Sequence, residues 1–319
     1  MPTVTMKLLK EQEWRARTQA HSSRLLPLVE AQRNRRARAQ SHPVIDFLFT
    51  YYSFRPGQLM QWSPGYGVVL ENAAEDFSRR RHWISEGGTA RLDLADMTGR
   101  QRRDVFWVNE LMRVVAQRKA RFGCYGLHEW AMVYRQRASA LRHSKFPLRV
   151  REKEISELIE SQPLCCSHYD AFRFFTRQAR PLNSMHPTID SRLGTEQSGC
   201  LHTNMDLYKW GYKLSPWIPS GLLCDAFLLA MEIRELDMRA SPYDLSSLGY
   251  TPVAVETVDG RAVYEREQRR FALKAEPIRA RLLRAAGELA ACLGEAGQEE
   301  PVQGVRDRLG SMSSASAVN

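Results

Sequence analysis

Several common signatures of membrane insertion, secretion and disulfide bonding are missing from this chain of 319 residues. There is no run of about 18–20 apolar residues, so no membrane-spanning helix and no membrane partner are predicted. The start of the chain lacks an apolar stretch followed by a small-residue cleavage site, which argues against a secretory signal. No C-x-x-C pair indicates a zinc ribbon, and the adjacent Cys165 and Cys166 are a poor start for a disulfide framework. We therefore expect reduced cysteines and a cytoplasmic location.

Motifs that cradle phosphates or activate a serine are also absent. The sequence contains neither G-x-x-x-x-G-K-[ST] nor a G-x-G-x-x-G that follows a strand. It has no G-x-S-x-G nucleophile elbow. These absences disfavour nucleotide-dependent kinases, dehydrogenases and ordinary esterases.

Positive charge is abundant and unevenly placed. The net charge is +10, and residues 100–151 alone hold thirteen Lys and Arg against three acids. Aromatic side chains are interleaved with this basic segment. Such a surface fits nucleic acid or another polyanion, although an arginine-rich helix face that only binds water is the commoner explanation.

Apolar periodicity predicts a mainly α protein, one compact helical domain with a few short strands. We expect a basic helical N-terminal arm over residues 1–40, with a break or kink at Pro27. The main helical domain would cover residues 41–293, and a Gly- and Ser-rich tail over 294–319 would be disordered. Short strands are predicted over 66–71, 146–150 and 251–257. A polar loop over 181–200 is long enough to be functional or mobile.

The chemistry is concentrated in three short segments that repeat one theme. Residues 124–130, 166–170 and 200–208 each contain a cysteine, then a histidine, then a carboxylate, among aromatics. Imidazole beside carboxylate in apolar surroundings is typical of acid–base catalysis, metal binding or a buried polar network. We predict that the three segments meet at one partly buried centre, because isolated buried charges are strongly unfavourable. The candidate catalytic residues are His128, Glu129, His168, Asp170, His202 and Asp206.

The same residues leave a metal site open as an alternative. A helical H-E-x-x-H is absent, since Glu129 is followed by Trp130, Ala131 and Met132. Two histidines and a carboxylate with open positions would suit non-haem iron, and zinc is equally compatible. If a metal is present, its predicted ligands are His128, His168, His202 and Asp206.

Arginines and aromatics near these segments are candidates for substrate binding. Most of the aromatics are expected in the core, but Tyr51, Trp130 and Tyr208 could stack on a flat or extruded base. Arg55, Arg173 and Arg239 could hold a phosphate or carboxylate. The segment 231–239 is otherwise interpreted as a charged helix face with a Glu235–Arg239 pair.

Five segments together resemble one known bacterial family. They are HPVIDFLFTYYS (42–53), GLHEWAMVY (126–134), CSHYDAFRFF (166–175), HTNMDLYKW (202–210) and RELDMRASPYD (234–244). They are similar to a family, frequent in actinobacteria, that is labelled 3-methyladenine DNA glycosylase. The resemblance covers about residues 10 to 275.

The resemblance implies a DNA glycosylase that excises alkylated purines, with DNA as partner and no cofactor. Asp170 or Asp206 would stabilise the sugar cation or activate water, and His168 or His202 would orient that carboxylate. The basic segment 100–151 would hold phosphates. Two alternatives stay open, an iron- or zinc-dependent enzyme acting on a small molecule, and a nucleic-acid-binding protein without catalysis.

Overall fold

Helices dominate the architecture. The computed structural model describes residues 6–52, 54–136 and 145–295, so the predicted tail lies almost wholly outside the described residues. The helices are α1 Glu11–Ala37, α2 Phe47–Tyr51, α3 Pro56–Leu59, α4 Ala74–Phe77, α5 Gly99–Gln117, α6 Leu127–Ala131, α7 Glu152–Ser161, α8 Tyr169–Phe172, α9 Arg192–Thr195, α10 Leu201–Lys213, α11 Ser220–Arg239 and α12 Val258–Glu295. The strands are β1 Lys7–Leu9, β2 Val68–Leu70, β3 Trp83–Glu86 and β4 Thr89–Leu92. The prediction of a mainly α, compact single domain is confirmed.

The core is built where α5, α10, α11 and α12 pack on one another. Helix α5 follows a capping box at Thr98, and its predicted apolar stripe from Val105 to Val115 is buried. Helix α12 buries residues at intervals of three, four and seven, which keeps one face toward α5 and its neighbours. The buried apolar residues of α12 are Tyr264, Phe271, Ala275, Leu282, Ala286, Leu289 and Leu293.

A small sheet forms with the strand order β1-β2-β4-β3. Strand β2 confirms the prediction over 66–71, and β1 pairs with it in parallel. The β3–β4 hairpin, which we did not predict, turns at Gly87 and Gly88, both with positive φ.

The strand expected over 251–257 is wrong, because Val253 donates its N–H to the end of α11 at Arg239. Residues 146–150 contribute only an isolated bridge from Leu148 to Tyr243.

Both long helices contain a proline without breaking. The predicted break at Pro27 is wrong, and α12 likewise continues through Pro277. Each proline lies on an exposed face, where water can hydrate the carbonyl that loses its N–H donor. The buried face of α1, which includes Trp14 and Leu25, packs against the core on both sides of this position. Residues 7–37 are thus packed into the domain through β1 and α1.

Among the described residues, no helix combines the length and the apolar character needed to cross a bilayer.

Candidate metal centre and its charge network

The three predicted segments converge, as expected. The ring of His202 lies 4.4 Å from that of His128 and 5.4 Å from that of His168, centroid to centroid. His128 belongs to α6, His168 precedes α8, and His202 lies in the first turn of α10. Gly126 allows α6 to start here, because its φ of +69° and the Tyr264 ring 3.0 Å from a Cβ at this position favour glycine. The predicted common centre is therefore confirmed.

One group of ligands forms around Asp237, a residue that the sequence reasoning missed. One ligand atom from each of His128, His202 and Asp237 lies within 4.8 Å of the other two. His128 Nε2 and Asp237 Oδ1 form a buried ion pair at 2.8 Å. Two ligands of one tetrahedral cation lie ~3.3 Å apart, so a cation bound here would replace this ion pair.

Arg234 holds this carboxylate in position. Its guanidinium donates to Asp237 Oδ2 at 2.6 Å and to Glu129 Oε1 at 2.9 Å, and its side chain is 1% exposed. The interpretation of 231–239 as a charged surface face is thus wrong for Arg234 and Asp237. Both continue the spacing of the buried residues Phe227, Ala230 and Ile233, and that periodicity was the available signal.

Burial and neighbouring charges set the protonation of this group in opposite directions. Burial lowers the pKa of His128, but the charge of Asp237, the hydrogen bond to it and the charge of Glu129 together raise the pKa above its ordinary value. Burial together with His128 lowers the pKa of His202 to about 3. Burial opposes ionisation of Asp237 as well, yet His128 keeps the pKa of this carboxyl below its usual range. His202 is thus neutral at physiological pH, the form in which imidazole binds metals.

A second group lies on the other side of His202, around Asp170 and Asp206. Asp170 accepts from Lys209 Nζ at 2.7 Å, contacts Arg192 and lies 3.4 Å from Arg173 Nε. Burial alone would raise the pKa of Asp170, but Lys209 and Arg192 lower it to about 2. Neither Lys209 nor Arg192 was predicted from the sequence, although Lys209 continues the spacing of His202 and Asp206 on α10.

Asp206 is surrounded by three polar groups. Its Oδ1 accepts from the Tyr52 hydroxyl at 2.6 Å, and its Oδ2 lies 3.2 Å from Lys209 Nζ and 3.3 Å from His168 Nε2. Burial opposes ionisation here too, but Lys209 and His168 hold the pKa of Asp206 well below its ordinary value. The predicted pairing of a histidine with this carboxylate is therefore made by His168.

Glu196, which lies in the loop 181–200, completes the network of charged side chains. It was not predicted from the sequence. Its Oε1 lies 3.7 Å from both His168 Nε2 and Arg192 Nε. Burial raises the pKa of this carboxyl, against the charge of His168. The loop is ordered into α9 at this point, and the spacing of four between Arg192 and Glu196 was the sequence signal.

A cavity of about 110 Å³ adjoins His128 and His202. The cysteines of the three segments, Cys124, Cys166 and Cys200, line it together with apolar side chains such as Phe175. Burial raises the pKa of Cys124 to about 11 and that of Cys200 to about 12, so these thiols stay protonated. Neutral thiols give a weakly polar wall rather than nucleophiles.

The predicted binding residues are dispersed. Trp130 and Tyr208 are fully buried core residues, so neither offers a stacking surface, and the Trp130 Nε1–H donates to Ala240 O at 2.8 Å. Arg239 pairs with Glu235 at 3.4 Å on the surface, as the alternative interpretation expected. Arg55 is exposed at the start of α3, and its backbone N–H donates to Tyr212.

Tyr51 and Arg173 do lie at the edge of the centre. Tyr51 is half-buried near Phe174, and burial with Asp170 raises its pKa to about 12. Arg173, 45% exposed, contacts Asp170 and covers the Phe174 ring at 4.5 Å. The predicted metal set is divided, because His128 and His202 gather with Asp237 while His168 and Asp206 gather with Asp170.

No protein-family model, curated protein or solved structure matches this chain.

Proposed function

We propose that this protein is a metal-dependent enzyme that acts on a small molecule. The observation that carries the proposal is the convergence of His128, His202 and Asp237, with ligand atoms within 4.8 Å of one another beside a cavity of about 110 Å³. Two imidazoles and one carboxylate are a donor set that binds zinc or non-haem iron. Three protein ligands leave coordination positions open for water and substrate.

The surrounding residues support such a centre. The neutral His202 needs no deprotonation to bind a metal, and Arg234 fixes the orientation of Asp237. A bound cation would supply Lewis-acid or redox chemistry. The cavity is lined by apolar side chains and thiols together with polar groups such as Arg121 and Gln197, which suits a small substrate with an apolar part and a polar group. Six free cysteines support the proposal of a cytoplasmic location.

Elemental analysis of the purified protein tests the metal. We expect stoichiometric zinc or iron in the wild type and its loss in His202→Ala. His186→Ala is the matched control, since His186 is exposed and lies outside the centre, and it should keep the metal. A wild-type protein that binds neither metal after reconstitution, with no change in melting temperature, would overturn the proposal.

A DNA glycosylase is the second candidate, which rests on the sequence resemblance and one feature of the site. Asp170, ionised with a pKa of about 2, lies beside Arg173 and within electrostatic reach of the half-buried Tyr51. An extruded cationic purine could stack on Tyr51 or Phe174 while Asp170 stabilises the sugar cation. Because Trp130 and Tyr208 are buried, this is where the base would bind.

An excision assay on methylated duplex DNA separates the two candidates. The glycosylase proposal expects base release that is insensitive to chelators and falls by about 10²–10⁴-fold in Asp170→Asn. Asp190→Asn, which alters an exposed carboxylate of the loop 181–200, should retain activity. Unchanged release in Asp170→Asn would remove this carboxylate from the reaction.

A further inference from the structure

The cavity beside His128 and His202 has permanent charge of only one sign in its walls. Among the described residues that line it, none is an aspartate or glutamate, and Arg121 is the one permanently charged side chain. In the same described part of the chain, no carboxylate lies within 4.0 Å of the Arg121 guanidinium. A cation without a counter-ion in the wall of a cavity attracts anions. The lining therefore favours a ligand with a negative group.

Exposure orders the lining from the surface inward. Arg121 and Ser184 are exposed, whereas the apolar residues Leu164, Phe175 and Leu201 are buried. The arginine thus lies at the mouth of the cavity, and apolar side chains form part of its buried wall. A ligand that matches this order has its negative group at the mouth and an apolar part inside.

The backbone of Arg121 is held in place by Gln197. The Arg121 N–H donates to Gln197 Oε1 at 2.8 Å, and the Arg121 carbonyl accepts from Gln197 Nε2 at 3.2 Å. Burial raises the pKa of the Cys165 thiol, and the charge of Arg121 offsets part of that rise. Because Cys165 also lines the cavity, the positive charge acts on the cavity wall from a fixed backbone.

Ser167 adds a second polar group to the wall. It is 5% exposed and lines the cavity, yet its hydroxyl makes no hydrogen bond to any described residue. Buried hydroxyls are normally hydrogen-bonded, so this hydroxyl can donate to a ligand or accept from it. Ser167 follows Cys165 by two residues, which places it on the stretch of wall that the charge of Arg121 reaches.

The volume of the cavity limits the size of the ligand. It is about 110 Å³, whereas a cavity of about 150 Å³ accommodates benzene. About four or five heavy atoms therefore fit inside, in addition to a group at the mouth. This space suits a short chain rather than a molecule with two fused rings.

We infer that the substrate of the proposed metal centre is a short aliphatic carboxylic acid of about three to five carbons. Its carboxylate binds the Arg121 guanidinium through paired, charge-assisted hydrogen bonds, and its chain packs against Phe175 and Leu201. The chain directs its other end toward the imidazoles of His128 and His202. The inference rests on the proposed function and names the substrate class of that same centre.

A ligand-observed NMR titration of the full-length protein tests the inference, with propanoate as the ligand and propanamide as its neutral analogue of the same shape. The wild type should bind propanoate at least about 10-fold more tightly, because the amide cannot form a charge-assisted pair with Arg121. Arg121→Gln should lose about 10-fold in affinity for propanoate and little for propanamide. Lys119→Gln, which removes an exposed cation outside the cavity lining, should bind both ligands as the wild type does.

A cation bound by His128, His202 and Asp237 would attract the carboxylate in every variant, so the difference between Arg121→Gln and the wild type measures the arginine alone. Unchanged propanoate affinity in Arg121→Gln, or equal affinity of the wild type for the two ligands, would overturn the inference. Circular dichroism checks that the variant folds. If it does not, Arg121→Met keeps more of the aliphatic stem and should show the same loss.

Elemental analysis of the same protein separates this inference from the proposed function. A wild type that binds zinc or iron but does not prefer propanoate would keep the metal centre and exclude the carboxylic acid as its substrate. A wild type that binds propanoate through Arg121 but takes up neither metal would keep the ligand site and overturn the proposed metal-dependent enzyme.

Discussion

At the scale of the residue, position on a helix decides what a charge does. Arg234 and Arg239 both lie on α11, but Arg234 is 1% exposed between two carboxylates while Arg239 is 35% exposed beside one. The Phe47 ring lies 3.8 Å below the Arg234 guanidinium. A buried ion pair whose partner is removed leaves an uncompensated charge, whereas an exposed pair loses little.

Arg234→Met should therefore lower the free energy of unfolding by about 3–5 kcal/mol, because Glu129 and Asp237 would remain buried without their cation. Arg239→Met is the matched control and should cost less than about 1 kcal/mol. Urea denaturation monitored by circular dichroism measures both. Equal effects of the two substitutions would contradict the role assigned to the buried guanidinium.

At the scale of the element, a close contact between two irregular segments positions Glu196 and the start of α10. Gln197 accepts from the N–H groups of Arg121 and Gly199 at 2.8 and 2.7 Å, which joins the loop 196–200 to the segment after α5. A Cβ at Gly199 would lie 2.4 Å from the Arg121 carbonyl oxygen. This contact fixes the backbone between Glu196 and α10.

Gly199→Ala should destabilise the protein by about 1–3 kcal/mol, since the backbone of one segment must move to admit the methyl group. Gly194→Ala provides the comparison, because nothing lies within 4 Å of its Cβ position and its φ is ordinary. That change is expected to be neutral or to stabilise the short helix α9 by up to about 1 kcal/mol. Thermal melts of both variants give the answer, and a stable Gly199→Ala protein would contradict the packing argument.

At the scale of the whole molecule, stability depends on carboxylates that are ionised inside the fold. Asp170, Asp206 and Asp237 all have a lowered pKa, and each has a basic neighbour. A group whose folded-state pKa lies below its unfolded value stabilises the fold above the unfolded pKa. This contribution disappears as the pH falls through the folded value, so we expect unfolding in acid.

Asp170 allows that expectation to be measured. Its pKa falls from 3.8 to about 2, which corresponds to roughly 2 kcal/mol. Asp170→Asn should be less stable than the wild type at neutral pH, and the difference should narrow by on the order of 2 kcal/mol between about pH 5 and about pH 2. Urea titrations across this range would refute the account if the difference stayed constant.

The sequence by itself determined the helical class, the buried face of α5 and the three segments that carry the chemistry. Those features follow from local periodicity and from residue type, and both are visible in the sequence alone. The convergence of His128, His168 and His202 was also predictable, because charged groups in apolar segments must compensate one another.

Only the tertiary structure decided which charged side chains compensate one another. Asp237 and Glu196 reach the centre from α11 and from a loop, and their roles depend on packing between segments distant in sequence. Trp130 and Tyr208 were assigned to stacking because an aromatic residue type does not reveal which side of a helix is covered. The residue type fixes the chemistry of a side chain, but its burial and its neighbours are set by the other elements that pack against it.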